Sequence, residues 1–332
     1  MRAAAIDVGT NTIRLLVADL DGKDRLVPIH REELITRLGE GFIFNRSISE
    51  TAMERTIEGL KRFKKAMGDY RPYKVIAVGT SVVREARNGS IFIQRAKEET
   101  GIQVNLISGE IEATFAAKGA LLPVTVEFGQ AFIFDIGGGS TEFILTHGTK
   151  VVKVESIDLG VVHLAEEYLH ADPPRQNEMA ILEKIIHSKI EMVRERFETG
   201  MMCPFDSDSM TILVGIAGTP TTLAAIDLKL APYDRERATN HILETTRITE
   251  IFQELIGKSA AERLLTPGLQ KGREDLIVPG TMIVREIMNT FGLSLLRVID
   301  SGILEGLLLS THRPEHQFRA FRGDSGESGR KY

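Results

Sequence analysis

The chain states one short pattern twice. "IDVGTNTIRLLV" (6–17) lies over "FDIGGGSTEFIL" (134–145) without a gap, placing Asp7 on Asp135, Gly9 on Gly137 and Thr12 on Ser140. Three further blocks repeat in the same order: "TRLGEG" (36–41) over "IDLGVV" (157–162), "VIAVGTSVVREA" (75–86) over "LVGIAGTPTTLA" (213–224), and "ISGEIEAT" (107–114) over "DSGILEGL" (300–307). Any two α/β domains share strand–glycine–helix turns, but four ordered matches point to two copies of one α/β unit.

Within the second copy, "FDIGGGSTEF" (134–143) sets a chemical question. Its flanks, Ala131–Phe134 and Phe143–Leu145, read as short buried strands. Successive glycines in a tight turn cost backbone entropy and bring no side chain to pack. Bare backbone N–H groups beside a hydroxyl suit an anionic oxygen, most often a phosphate. The carboxylates of Asp135 and Glu142 would repel that phosphate unless a hard cation lay between them. The other reading is a glycine-rich hairpin with solvated acids.

Bulk properties narrow the class. The chain has 332 residues, 42% of them hydrophobic, enough for two domains with real cores. A net charge of −5 gives no basic footprint for nucleic acid. No apolar run reaches membrane-spanning length, and the start, "MRAAAI", is broken by Asp7 before any cleavage site, so a strand is expected there. A single cysteine, Cys203, excludes internal disulfides and fits a reducing cytoplasm.

Between the repeated blocks, periodicity predicts a helix over 50–68 with Met53, Ile57, Leu60, Phe63 and Met67 on one face and a capping box at Ser47 and Glu50. Others are expected over 91–101, from Ser108 to Leu122, over 176–199, over 218–229, and over 273–291 with a kink at Pro279. The polar turn 125–130 marks a boundary between domains 1–125 and 126–312. The last helix, about 301–311, is expected to return near the hinge, and residues 313–332 form a polar tail.

Paired Asp–Gly hairpins, the Gly-Thr strand–helix turn and the duplication resemble the actin, Hsp70 and sugar-kinase superfamily. That resemblance implies two ribonuclease-H-like domains flanking a cleft for a phosphate chain and a divalent metal. "AIDVGTNTIRLLV", "AVGTSVVREARN", "ISGEIEA", "FDIGGGSTEF", "DLGVVHL" and "GIAGTPTTLAA" are more narrowly similar to the exopolyphosphatase and guanosine pentaphosphate phosphohydrolase family, from residue 5 to about 310. Two departures stand out. Ile111 occupies a position where the family usually has glutamate, and the chain is too short for the extra C-terminal helical domain of longer members.

The resemblance implies hydrolysis of terminal phosphoanhydride bonds in polyphosphate or guanosine pentaphosphate, or both, in the cytoplasm, with polyphosphate or guanosine penta- or tetraphosphate as the bound partner. Such chemistry needs the phosphoryl held in line, its charge neutralised and a water deprotonated behind it. The expected cradles are the backbone amides of Thr10, Asn11 and Thr12, and the hairpin from Gly137 through Gly138, Gly139, Ser140 and Thr141. The helix opening at Gly218 and Thr219 is the third. Asp135 and Glu142, with Asp7 through a water, are candidate ligands for Mg²⁺ or Mn²⁺. Arg84 has a fork for two phosphate oxygens, or else forms a surface ion pair with Glu85. Glu112 matches the family's catalytic glutamate and is the expected general base, with Glu305 its structural copy. Family resemblance and long amphipathic helices imply a homodimer. A kinase of the same fold, a non-enzymatic guanosine tetraphosphate sensor and a filament-forming actin relative are the alternatives.

Overall fold

The structure, a computed structural model, describes residues 1–21, 25–199 and 210–312; Cys203 and the expected tail lie outside the described residues. Strands β1 (Arg2–Val8), β2 (Thr12–Leu20) and β3 (Leu26–Ile35) form an antiparallel meander. β4 (Lys74–Gly79) and β5 (Val104–Leu106) add to it in parallel, giving the order β3-β2-β1-β4-β5. The intervening helices are α1 (Phe42–Asn45), α2 (Glu50–Tyr70), α3 (Ser81–Glu85) and α4 (Gly89–Thr100), followed after β5 by α5 (Gly109–Ala120).

The second half repeats this plan. β6 (Gln130–Ile136), β7 (Thr141–His147) and β8 (Lys150–Ile157) make the meander, and β9 (Thr211–Ile216) joins β6 in parallel. β10 (Ile242–Glu244) is an added antiparallel edge on β11 (Leu295–Val298), giving the order β10-β11-β9-β6-β7-β8. Its helices are α6 (Val161–Tyr168), α7 (Gln176–Glu198), α8 (Gly218–Asp227), α9 (Arg235–Ala238), α10 (Thr245–Ile256), α11 (Ala260–Arg263), α12 (Ile277–Thr290) and α13 (Ile303–Leu309). Three of the four repeated blocks therefore fall on equivalent elements: β1–β2 with β6–β7, β4–α3 with β9–α8, and β5–α5 with β11–α13.

Local chemistry sets the helix limits. Met53, Ile57, Leu60, Phe63 and Met67 are buried as one face of α2, but Ser49, not Ser47, caps it, accepting from Ala52 N at 3.2 Å. Ser108 caps α5 by accepting from Ile111 N at 3.3 Å. Pro279 makes no kink, because α12 starts at Ile277 and a proline in the first turn forfeits no helical hydrogen bond. No described helix is long and apolar enough to cross a membrane.

Both sheets are covered on two faces, and the last helix of each half covers the sheet of the other. Ala113, Ala116, Ala117 and Ala120 of α5 pack with Ala131, Ile133, Ile144 and Val214 of the second sheet. Ile303, Leu304, Leu307 and Leu308 of α13 pack with Ala3, Ala5, Leu16 and Ala18 of the first. Burying each of those four α13 side chains contributes about 2 kcal/mol. The two helices cross backbone to backbone: a Cβ on Gly119 would lie 1.9 Å from Gly302 O, and one on Gly306 would lie 1.9 Å from Phe115 O.

An ion cluster ties this crossing down. Glu305, 4% exposed, accepts from Gly302 N at 2.9 Å and pairs with Arg31 of β3 and, at 2.9 Å, with Arg235 of α9. Although burial opposes its charge, Arg31 and Arg235 hold its carboxyl below the ordinary range. Removing one member of a buried pair leaves its partners uncompensated, at a cost of about 3 kcal/mol or more. Glu305→Gln is therefore expected to lower the thermal midpoint by several degrees, measured by differential scanning calorimetry; an unchanged midpoint would mean the cluster contributes nothing net.

Candidate active site

The two β-hairpins are built alike. In the first, Gly9 N donates to Thr12 O at 3.0 Å; in the second, Gly137 N donates to Ser140 O at 2.9 Å. A following loop straps each from behind, with Gly39 N bonded to Thr10 O at 2.8 Å and Val162 N bonded to Gly138 O at 2.9 Å. The hairpins meet tip to tip. A Cβ on Gly138 would lie 2.8 Å from Thr10 Cβ, and one on Gly139 would lie 2.4 Å from Ser81 Oγ. Close approach of the two halves thus requires the glycines, whatever else their amides do.

Cross-strand register arranges the charges in two rows. Asp7 faces Arg14 across β1–β2, and Arg14 faces Glu33 across β2–β3. Asp135 faces Glu142 across β6–β7, and Glu142 faces Ser156 across β7–β8. The copies differ at the middle position, a cation in one and an acid in the other. Asp7 Oδ2 accepts from Arg14 Nη2 at 2.5 Å, and Glu33 pairs with Arg273 at 2.6 Å. Despite burial, Asp7, Asp135 and Glu33 hold the Arg14 guanidinium above its ordinary value.

The second row lacks such a cation. Burial raises Glu142 to about 7, helped by Asp135 and opposed by hydrogen bonds from Ser140 and Ser156. Burial raises Asp135 to about 6 against the pull of Arg14, with Asp7 adding to the rise. Glu112, in the first turn of α5, is pushed well up by burial and by Glu142, Asp7 and Asp135, against Arg84. One Glu112 oxygen, Oε2, is buried without a hydrogen bond, as is Asp7 Oδ1. Among the described residues no three Asp, Glu, His or Cys side chains stand close enough together to hold a metal ion. The under-neutralised pair Asp135 and Glu142, with the orphaned oxygen of Asp7 near Asp135, fits a cation held by few carboxylates and mostly by water, the usual habit of Mg²⁺.

These groups face a cavity of about 120 Å³ between the halves. Asp7, Thr10, Asn11, Thr12, Glu112 and Asp135 line it, as do residues 137–140, Gly218 and Thr219. Three expected residues sit behind the wall. Thr141 is fully buried and donates its hydroxyl to Leu159 O. Glu142, 1% exposed, accepts from Ser140 Oγ at 2.7 Å and Ser156 Oγ at 2.8 Å. Arg84 donates to Ile107 O at 2.8 Å and lies 3.5 Å from Glu112 Oε2 and 3.8 Å from Glu85. Arg14, Glu33, Arg273 and Asp300 also line the cavity and were not singled out in the sequence. Arg14 was discoverable, since it occupies the position of Glu142 in the repeat.

Two such units facing across a cleft, each offering a glycine hairpin, define the ribonuclease-H-like superfamily of actin, Hsp70 and the sugar kinases. Residues 16–315 match the Ppx/GppA phosphatase family, and the chain belongs to it. It is 32% identical over 321 residues to exopolyphosphatase 2 of Mycobacterium tuberculosis, covering 93% of this chain and 98% of that one. The crystal structure of the Aquifex aeolicus Ppx/GppA family member is similar at 30% identity with a TM-score of 0.77, covering 94% of this chain and 97% of that one. An exopolyphosphatase structure from Cytophaga hutchinsonii is similar at 27% identity with a TM-score of 0.84, covering 94% and 98%.

One residue of the wall is strained. Ala217, immediately before α8, has φ 67° and ψ −161°, a conformation that side chains with a Cβ rarely adopt and that costs of order 1 kcal/mol or more. Ala217→Gly should therefore raise the unfolding free energy by about 1 kcal/mol in urea denaturation. A loss of stability would mean that the Ala217 methyl contributes packing that outweighs the strain.

Proposed function

We propose that the protein hydrolyses the terminal phosphoanhydride bond of inorganic polyphosphate, with guanosine pentaphosphate a second substrate of the same chemistry. The observation that carries this reading is Glu112, a largely buried carboxylate brought by α5 to the cavity wall opposite two glycine hairpins. The names of the mycobacterial and Cytophaga relatives support polyphosphate. So does the cavity, whose lining holds hydroxyls, amides and charged groups but no aromatic ring to stack a base. At about 120 Å³ it is smaller than the few hundred Å³ of sites that enclose a drug-sized ligand, and suits the end of a chain.

In this mechanism the amides of residues 10–12 and 138–140 and the N-terminus of α8 hold the non-bridging oxygens of the terminal phosphoryl group. Arg14 and Arg273 add positive charge. Glu112 takes a proton from a water on the side away from the leaving oxygen. The water oxygen forms the new P–O bond as the bridging P–O bond breaks, releasing orthophosphate and a chain one unit shorter. Asp135 at the cavity wall and Glu142, its cross-strand neighbour directly behind the wall, would hold Mg²⁺ or Mn²⁺, which supplies further neutralisation of phosphoryl charge. Arg84, bonded to a backbone carbonyl and beside Glu112, orients the base.

Phosphate release from polyphosphate and from guanosine pentaphosphate, with and without Mg²⁺, tests the reading; release from neither overturns it. Loss of a positioned general base costs roughly a hundred- to ten-thousand-fold in rate. Glu112→Gln should lose that much turnover while retaining polyphosphate binding, whereas Glu110→Gln, at an exposed position two residues earlier, should stay active. The reverse result would make Glu110 the base. Asp135→Ala should abolish divalent-dependent release with the fold intact by circular dichroism, and a normal Mg²⁺ response would remove Asp135 from the cation site.

A further inference from the structure

Ser156 touches both the second acidic row and the helix carrying the base. It ends the row Asp135–Glu142–Ser156 and donates to Glu142 Oε1 at 2.8 Å. Ser140 Oγ reaches the same oxygen at 2.7 Å. Two donors converging on one carboxylate oxygen fix the plane of the group, which a single donor leaves free to turn. Ser156 also lies under the first turn of α5: a Cβ on Gly109 would fall 2.7 Å from its Oγ and 2.9 Å from its Cβ. Glu112 stands three residues further along that helix, capped at Ser108.

We propose that Ser156 is a positioning residue of the hydrolytic site, orienting the Glu142 carboxylate toward a divalent cation and setting the first turn of α5 against it. The inference rests on the phosphoanhydride hydrolase reading above. A packing role does not account for the residue, because Ser156 is exposed while the Glu142 it bonds is 1% exposed. Glycine at 109 has the matching explanation: any side chain there would displace the hydroxyl. Ser140, which lines the cavity, supplies the other donor to that oxygen, but the hydroxyl against Gly109 of α5 is that of Ser156, and without Ser156 it would be the single donor left.

The test compares wild type, Ser156→Ala and Ser156→Thr in the full chain. Mn²⁺ binding is followed by electron paramagnetic resonance without substrate, and phosphate release from polyphosphate is followed against Mn²⁺ concentration. Loss of a hydrogen bond that orients a metal ligand typically weakens metal affinity ten- to a hundredfold. Ser156→Ala should bind Mn²⁺ about tenfold more weakly, need correspondingly more cation for half-maximal rate, and keep the KM for polyphosphate at saturating cation. Ser156→Thr, which retains the hydroxyl, should restore both. Equal Mn²⁺ affinity and equal cation dependence in wild type and Ser156→Ala would overturn the role of Ser156 alone. Absence of Mn²⁺ binding by the wild-type protein would overturn it together with the cation site, and an inactive wild type that binds Mn²⁺ normally would count against the hydrolase reading while the affinity comparison still judged Ser156.

Discussion

The structure depends on the crossing of α5 and α13. Gly119 meets the carbonyl of Gly302, and Gly306 meets that of Phe115, so the helices touch through backbone where any side chain would force them apart. From this crossing each helix reaches the sheet of the other half, α5 the second and α13 the first. Were the helices separated by even a methyl group, the layers on both sides would have to move with them. The site inherits that precision. Glu112 belongs by sequence to the first copy, but α5 lies on the second sheet and so carries it to the row formed by Asp135 and Glu142.

Duplication followed by divergence at one position divides the labour of the cleft. Both hairpins retain the aspartate and the same backbone closure, yet one places Arg14 beside its aspartate and the other places Glu142. The first copy is thereby neutralised internally and presents a guanidinium to the cavity. The second accumulates acid, with Asp135 and Glu142 both pushed upward by burial. An anionic chain and a hard cation need such opposite surroundings, and two copies of a single hairpin could supply only one kind.

Much of this was legible in the sequence because repetition reveals equivalence. The four blocks identified the paired strands and turns, and the alternation of apolar residues identified the buried face of α2. Glycine–hydroxyl stretches likewise marked the cavity wall. Other features were hidden for physical reasons. Ser49 rather than Ser47 caps α2 because the helix starts at Glu50, which puts the Ser49 hydroxyl within reach of Ala52 N. Arg273 reaches the cavity from a segment with no motif, through tertiary packing alone. The triple glycine suggested bare amides for phosphate, whereas the structure adds a steric demand from Thr10 and Ser81 that a single sequence cannot reveal.

The exchange of final helices also bears on how the chain becomes folded as it is made. Domains emerging from the ribosome generally fold as units, the N-terminal one first. Here the first sheet waits for Ile303, Leu304, Leu307 and Leu308 to cover Ala3, Ala5, Leu16 and Ala18, nearly the full length of the polypeptide later. The opposite face packs on α2 and α4 of its own half, but the one α13 covers lacks that helix through most of synthesis, and closing so long a loop is entropically costly and slow. The two halves, alike in sequence pattern, are therefore unlike in history: the second can complete its sheet against an α5 already made, while the first is finished last.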